Sequence, residues 1–203
     1  MPRKRNHRSF KKRYAVLGQG ITEQWYLSFL KDYKKYKYIV RPRLFDNIGL
    51  KKAERFIDDL LDEGYDYITF FTDYDTIVSQ EKRARFDALI NKYKSNNKVF
   101  ICESMPSIEI WFLLHFIYTT REFVDYDSLK SVLRNYLPGY EKTNEYLKDK
   151  NWFCKLIQNQ GFCKAKANAI KLFENRKQGN IGRHFPYTKM HLAIEQFEKQ
   201  KHA

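Results

Sequence analysis

The chain is expected to fold as an α/β protein: a parallel-rich four-stranded sheet flanked by helices, with a helical C-terminal half packed on it. Three observations lead there. The first 102 residues alternate strand and helix patterns as β-α-β-α-β-α-β. From Pro106 onward only helical periodicities recur, over 106–118, 126–136, 143–159, 162–177 and 188–200. The chain carries no internal repeats. These patterns divide it into a basic, flexible tail over 1–12, an α/β core over 13–120, and a helical extension of the same domain over 121–203.

Residues 13–17 form the first expected strand, and Gly18-Gln19-Gly20 makes the turn after it. Thr22 is placed to N-cap a helix running to about 33, with Trp25, Phe29 and Tyr33 at i, i+4 and i+8 as its apolar stripe. Residues 37–45 form a second strand, which Pro42 assigns to a sheet edge. After Gly49 a helix gathers Ala53, Phe56, Ile57, Leu60 and Leu61 on one face, with Gly64 just past its end. Residues 67–71 are the third strand, and 80–93 form a helix with Phe86, Leu89, Ile90 and Tyr93 as its buried stripe. Residues 98–102 are the fourth strand, and Pro138-Gly139 and 178–186 are the main breaks in the helical half.

Apolar residues make up 43% of the 203, with 16 Phe and 15 Tyr, enough for a substantial core. No apolar run approaches the roughly 20 residues that cross a bilayer, and no hydrophobic segment follows the basic start, so a soluble cytoplasmic protein is expected. Cys102, Cys154 and Cys163 match neither a zinc template nor a disulfide framework. The formal charge of +14 is uneven: residues 1–13 carry +7, 14–149 carry −1 and 150–203 carry +8. A near-neutral body with two basic ends suits a partner rich in phosphates, DNA or RNA. Arg5, Lys11 and Arg13 at one end, and Lys164, Lys166 and Arg183 at the other, are the candidate nucleic-acid contacts. Lys164 and Lys166 also fit the outward face of an amphipathic helix.

The candidate chemistry lies in three clusters. Asp73 and Asp75 follow the third strand at i and i+2, the spacing that points two side chains the same way at the end where α/β sheets bind ligands. Two close carboxylates repel unless a cation lies between them, and oxygen ligands suit Mg²⁺ or Mn²⁺. The turn containing Gln19 and Glu23 precedes the first helix; it is neither a P-loop nor a dinucleotide fingerprint, and the helix dipole alone accounts for a carboxylate at Glu23. Glu109 stands on a helix that is apolar nearly all round, so it enters a core and needs a partner: a metal, a lysine or the helix N-terminus. His115 on the same helix fits a satisfied core histidine, and Tyr140, Trp152 and Phe153 fit the core better than base stacking.

Together these motifs resemble the RloB-like proteins, which have a Toprim-like core and occur in phage-defence and abortive-infection loci. The resemblance covers about 13–200. It rests on Gln19-Gly20-Ile21-Thr22-Glu23 against Glu-Gly-x-x-Thr-Glu, on Asp73 and Asp75, on the long block 104–116, and on Pro186-Tyr187-Thr188. It implies a Toprim-type, metal-dependent nuclease acting on DNA or RNA in anti-phage defence, often beside an ABC-type or OLD-like ATPase from the same operon. Asp73 and Asp75 would hold Mg²⁺ or Mn²⁺, with Glu109, Glu23 and Gln19 completing the catalytic set. One position departs from the family: Gln19 stands where a glutamate is expected, and a carboxamide carries no charge and accepts no proton at neutral pH. That departure supports an alternative, a catalytically weakened or inactive nucleic-acid-binding subunit of an ATPase complex.

Overall fold

The computed structural model describes residues 12–42, 48–77, 80–179, 182 and 184–201. Among them a five-stranded sheet runs in the order β2-β1-β3-β4-β5. Its strands are β1 (Tyr14–Gly18), β2 (Ile39–Arg41), β3 (Tyr67–Asp73), β4 (Val99–Met105) and β5 (Tyr187–Thr188). The first four pair in parallel, with Leu17 opposite Arg41 and Phe70, and Phe71 opposite Cys102. β5 runs antiparallel to β4, with Ser104 opposite Thr188. Between and after the strands lie α1 (Ile21–Lys34), α2 (Leu50–Asp62), α3 (Gln80–Tyr93), α4 (Glu109–Leu114), α5 (Tyr126–Leu133), α6 (Asn144–Lys148), α7 (Asn151–Ile157), α8 (Gly161–Gln178) and α9 (Met190–Lys201).

Strand alternation divides the apolar side chains between two faces. Ala15 and Leu17 of β1, with Ile68 and Phe70 of β3, join Ala53, Ile57 and Leu60 of α2 and Phe86 and Leu89 of α3 in one core. Tyr14 and Val16, with Phe71 and Cys102, face the other core. That second core takes in Tyr26 and Leu27 of α1, all of α4 after Glu109, and apolar residues of α5, α7, α8 and α9. Residues of the helical half thus share a core with one face of the sheet. Gly18 permits the tight return of α1 onto β1, because a Cβ there would lie 2.9 Å from Glu23 Cβ and 3.2 Å from Gln24 N.

The structure revises several expectations. The sheet has five strands among the described residues, not four. The helical half contributes β5, whose two residues are too few to leave a period-two signal. Thr22 is not an N-cap: it lies buried within α1, and Gly20 takes the cap position. The buried face of α1 is Tyr26, Leu27 and Leu30, whereas Trp25 and Phe29 form a half-buried flank and Tyr33 is 46% exposed. An aromatic face at the edge of a helix still reads as apolar period, so sequence spacing alone misplaced the stripe. The helix expected over 106–118 is confined to Glu109–Leu114. The one expected over 143–159 breaks at Asp149, whose backbone is extended (φ −75°, ψ 119°), into α6 and α7. The edge strand appears as expected but only as Ile39–Arg41, and 43–45 lie outside the described residues.

Phe112 is fully buried, with ring centroids 5.1 Å from Tyr26 and 5.2 Å from Trp152. Phe112→Ala should cost about 3–5 kcal/mol of unfolding free energy, measured by urea denaturation; a loss below about 1 kcal/mol would contradict this packing.

Candidate active site

β1 connects to β2 on one side, while β3 lies on its other side, so the crevice at the carboxyl ends of β1 and β3 is the topological switch point of the sheet. Gln19 and Asp73 stand at its two lips. Gln19 Oε1 accepts a hydrogen bond from Thr72 Oγ1 at 2.7 Å and from Asp73 N at 3.2 Å, tying the β1–α1 turn to the end of β3. The backbone oxygen of Gln19 accepts from Ile48 N at 3.0 Å, which brings the segment leading into α2 onto the same crevice.

Three carboxylates from separate elements meet beneath these lips. Asp73, the last residue of β3, accepts from Ile108 N through Oδ1 at 2.8 Å. Glu109, in the first turn of α4, is fully buried; its Oε2 accepts from Ser107 Oγ at 2.6 Å and its Oε1 from the Tyr140 hydroxyl at 2.8 Å. Glu23, in the first turn of α1, is 3% exposed and accepts from Gly20 N at 3.2 Å. Lys142, on the segment between α5 and α6, enters from the side. Its Nζ lies 3.1 Å from Glu109 Oε2 and 3.6 Å from Asp73 Oδ2, and 4.0 Å from the Tyr126 ring centroid.

The electrostatics follow from burial. Desolvation raises Asp73 well above the usual carboxylate range; the charges of Glu23, Glu109 and Asp75 add to it, and Lys142 opposes it. Burial likewise pushes Glu23 from 4.5 up to about 7, against the pull of Lys142 and two backbone N–H groups. Burial works against the Lys142 ammonium, but Glu109, Asp73 and Glu23 more than offset it and its pKa is raised. Asp75 lies beyond the last residue of β3 and begins a 3₁₀ turn (Asp75–Ile77), its N–H donating to Pro106 O at 3.0 Å. Strand alternation therefore stops at Asp73. Glu23, Glu109 and Asp75 all lie near enough for their charges to act on Asp73.

Above the acids lies a cleft of about 450 Å³, lined by Glu23, Asp73, Lys142, the first residues of α1, Gly49 and Lys82. A neighbouring cleft of about 290 Å³ shares Gln19, Gly49 and Lys82 and adds Lys51 and Arg85. The arrangement is an acidic floor under a basic rim, with the N-terminal ends of α1 and α2 opening on it, a setting that favours anions.

The basic residues singled out from sequence lie elsewhere or beyond description. Arg5, Lys11 and Arg183 are outside the described residues. Arg13 precedes β1, about 16 Å of strand from the crevice; its guanidinium donates to Glu63 O and lies 4.1 Å from the Tyr65 ring centroid. Lys166 pairs with Glu195 at 3.3 Å, and Lys164 is exposed beside His115 and Lys155 in a separate surface cleft. His115 is a core histidine: its Nδ1 bonds Trp111 O at 2.8 Å, and burial lowers its pKa to about 4. Tyr140, Trp152 and Phe153 are buried in the core, Tyr140 also serving Glu109.

Lys142, Lys82, Lys51 and Arg85 were not singled out from sequence. The one signal toward Lys142 was indirect: a glutamate entering an apolar helix requires a partner, and a lysine is one of few groups able to serve.

The fold and site define an α/β protein with an acidic switch-point crevice. The family model of the RloB-like proteins matches residues 14–197, and the chain belongs to that family. No curated protein and no solved structure matches the chain.

Two outcomes test this geometry. The folded Glu23 carboxyl holds its proton more tightly than the unfolded one, so stability falls as pH rises from about 4.5 to about 7. Glu23→Gln should therefore match the wild type near pH 4 and exceed it by about 3 kcal/mol at pH 8, read from urea unfolding with a chelator present. Tyr140→Phe removes one donor to buried Glu109 and should cost about 1–3 kcal/mol by the same measurement.

Proposed function

We propose that the protein is a metal-dependent nuclease of Toprim type that acts on DNA or RNA in anti-phage defence. The observation that carries this reading is the convergence of Glu23, Asp73 and Glu109 under the basic rim of Lys82, Lys51 and Arg85. The donor chemistry fits a hard divalent cation, being all carboxylate oxygen. Among the described residues, however, no group of three or more His, Cys, Asp or Glu is already arranged around one ion position. Asp73 and Glu109, which share Lys142, would hold Mg²⁺ or Mn²⁺, with Asp75 and Glu23 beside them. The bound ion would neutralise phosphate charge and lower the pKa of a water.

The chain's own groups have separable parts. Lys82, Lys51, Arg85 and the N-terminal N–H groups of α1 and α2 would grip phosphate oxygens. Glu23, titrating near 7, can hold or release a proton at neutral pH. Gln19 would position: its carboxamide oxygen fastens Thr72 and the Asp73 backbone.

One observation favours the second reading, a nucleic-acid-binding or regulatory subunit beside an ABC-type ATPase. Gln19 stands where the resemblance expects an anionic ligand, and its Oε1 already serves two donors. Gln19→Glu separates the readings: gained or increased cleavage with Mg²⁺ or Mn²⁺ supports the nuclease, and silence in both proteins supports the subunit.

Purified protein with Mn²⁺ should cleave single- or double-stranded DNA or RNA on denaturing gels. Asp73→Ala should bring cleavage to background while polyanion affinity stays within about threefold by fluorescence anisotropy, since phosphate grip and chemistry lie on different residues. Replacing Lys82 and Arg85 together by Gln should weaken binding and flatten its salt dependence by about two phosphate contacts. Binding without cleavage under every metal would end the nuclease reading.

A further inference from the structure

The acid cluster already contains a cation, and it belongs to the chain. Lys142 Nζ is 3.1 Å from Glu109 Oε2 and 3.6 Å from Asp73 Oδ2, and Glu23 is close enough for its charge to act on the ammonium. The described ion pairs with Lys92 and Lys189 use carboxylates that keep some exposure to water. Glu109 is fully buried. A buried carboxylate without a compensating cation is strongly penalised. One ammonium stands against two carboxylates, with a third nearby, in the place to which a divalent ion would also be drawn.

The means of withdrawal is also present. Lys142 sits between Gly139, whose φ is +76°, and Thr143, the N-cap of α6, so no helix or strand holds its backbone. Its side chain keeps 30% exposure, leaving the flexible four-carbon stem a path to water. The Tyr126 ring, 4.0 Å from Nζ, shares the ammonium with the carboxylates in this position.

We propose that Lys142 is the resident counter-ion of this cluster and that it and a divalent cation exclude one another, so that metal enters only when the ammonium leaves Asp73 and Glu109. The inference rests on the reading above in one respect, that these carboxylates form the metal site. It adds that the protein at rest is held in a metal-poor state by its own lysine.

The test is Mn²⁺ binding by the full chain, measured by electron paramagnetic resonance of free Mn²⁺ without nucleic acid. Lys142→Met and Lys142→Gln should bind Mn²⁺ at least about tenfold more tightly than the wild type, and adding Asp73→Asn to either should remove the gain. A folded Lys142→Met protein with unchanged or weaker Mn²⁺ affinity overturns the proposal. Should both variants fail to fold, the wild type decides. Acylation of Lys142, followed by mass spectrometry, should rise severalfold at saturating Mn²⁺, and unchanged reactivity overturns the proposal. Tighter Mn²⁺ binding with no cleavage by either protein leaves the inference standing and removes the nuclease reading. Cleavage by the wild type, with Mn²⁺ affinity unmoved by Lys142→Met, removes the inference alone.

Discussion

The burial of Glu109 is the constraint around which the second half of the chain is organised. A carboxylate at the start of an apolar helix can stay inside only if both its oxygens find donors. Ser107 supplies one from two residues upstream. Tyr140 and Lys142 supply the others from beyond α5, and thereby fasten that loop to the carboxyl edge of the sheet. The same demand brings the Tyr140 ring beside Phe112 and Trp152, so one polar requirement and one apolar cluster specify a single placement of the loop. An apolar residue at 109 would satisfy the helix and leave the loop without its anchor.

The sheet converts that local demand into a site. Its order puts the reversal between β1 and β3, where the strand ends cannot be covered by their own connecting helices. Gln19 bridges the gap through two hydrogen bonds to the end of β3, doing with a neutral oxygen what holds the two strand ends together. Glu23 reaches the crevice because Gly18 lets α1 return closely onto β1. Charge then separates by depth: the carboxylates and Lys142 at the floor, Lys82, Lys51 and Arg85 at the rim.

Much of the fold was legible because its signals are local. The strands β1, β3 and β4 are short apolar runs flanked by turns, and α2 and α3 show their buried residues at the expected spacing. Asp73, Glu109, Glu23 and Gln19 were each visible as a residue out of keeping with its surroundings: an acid at a strand end, an acid in an apolar helix, an acid in a first turn, an amide in place of an acid. β5 was not legible, because two residues carry no periodicity and their strand identity comes from pairing with β4. The break between α6 and α7 and the true stripe of α1 were hidden by aromatic side chains, which satisfy a helical period whether they face the core or its edge.

The sequence by itself determined the alternation of strands and helices, the chemical identity of the acids and the need of Glu109 for a partner, since each depends on near neighbours along the chain. Tertiary structure decided that Glu23, Asp73 and Glu109 come close enough for their charges to interact, that Asp75 begins a 3₁₀ turn beyond the end of β3, and that the partner is Lys142 rather than another of the chain's many cations. That choice depends on distances between segments far apart in sequence. They are set by how α4 and the loop after α5 pack on the sheet, and no spacing along the chain encodes them.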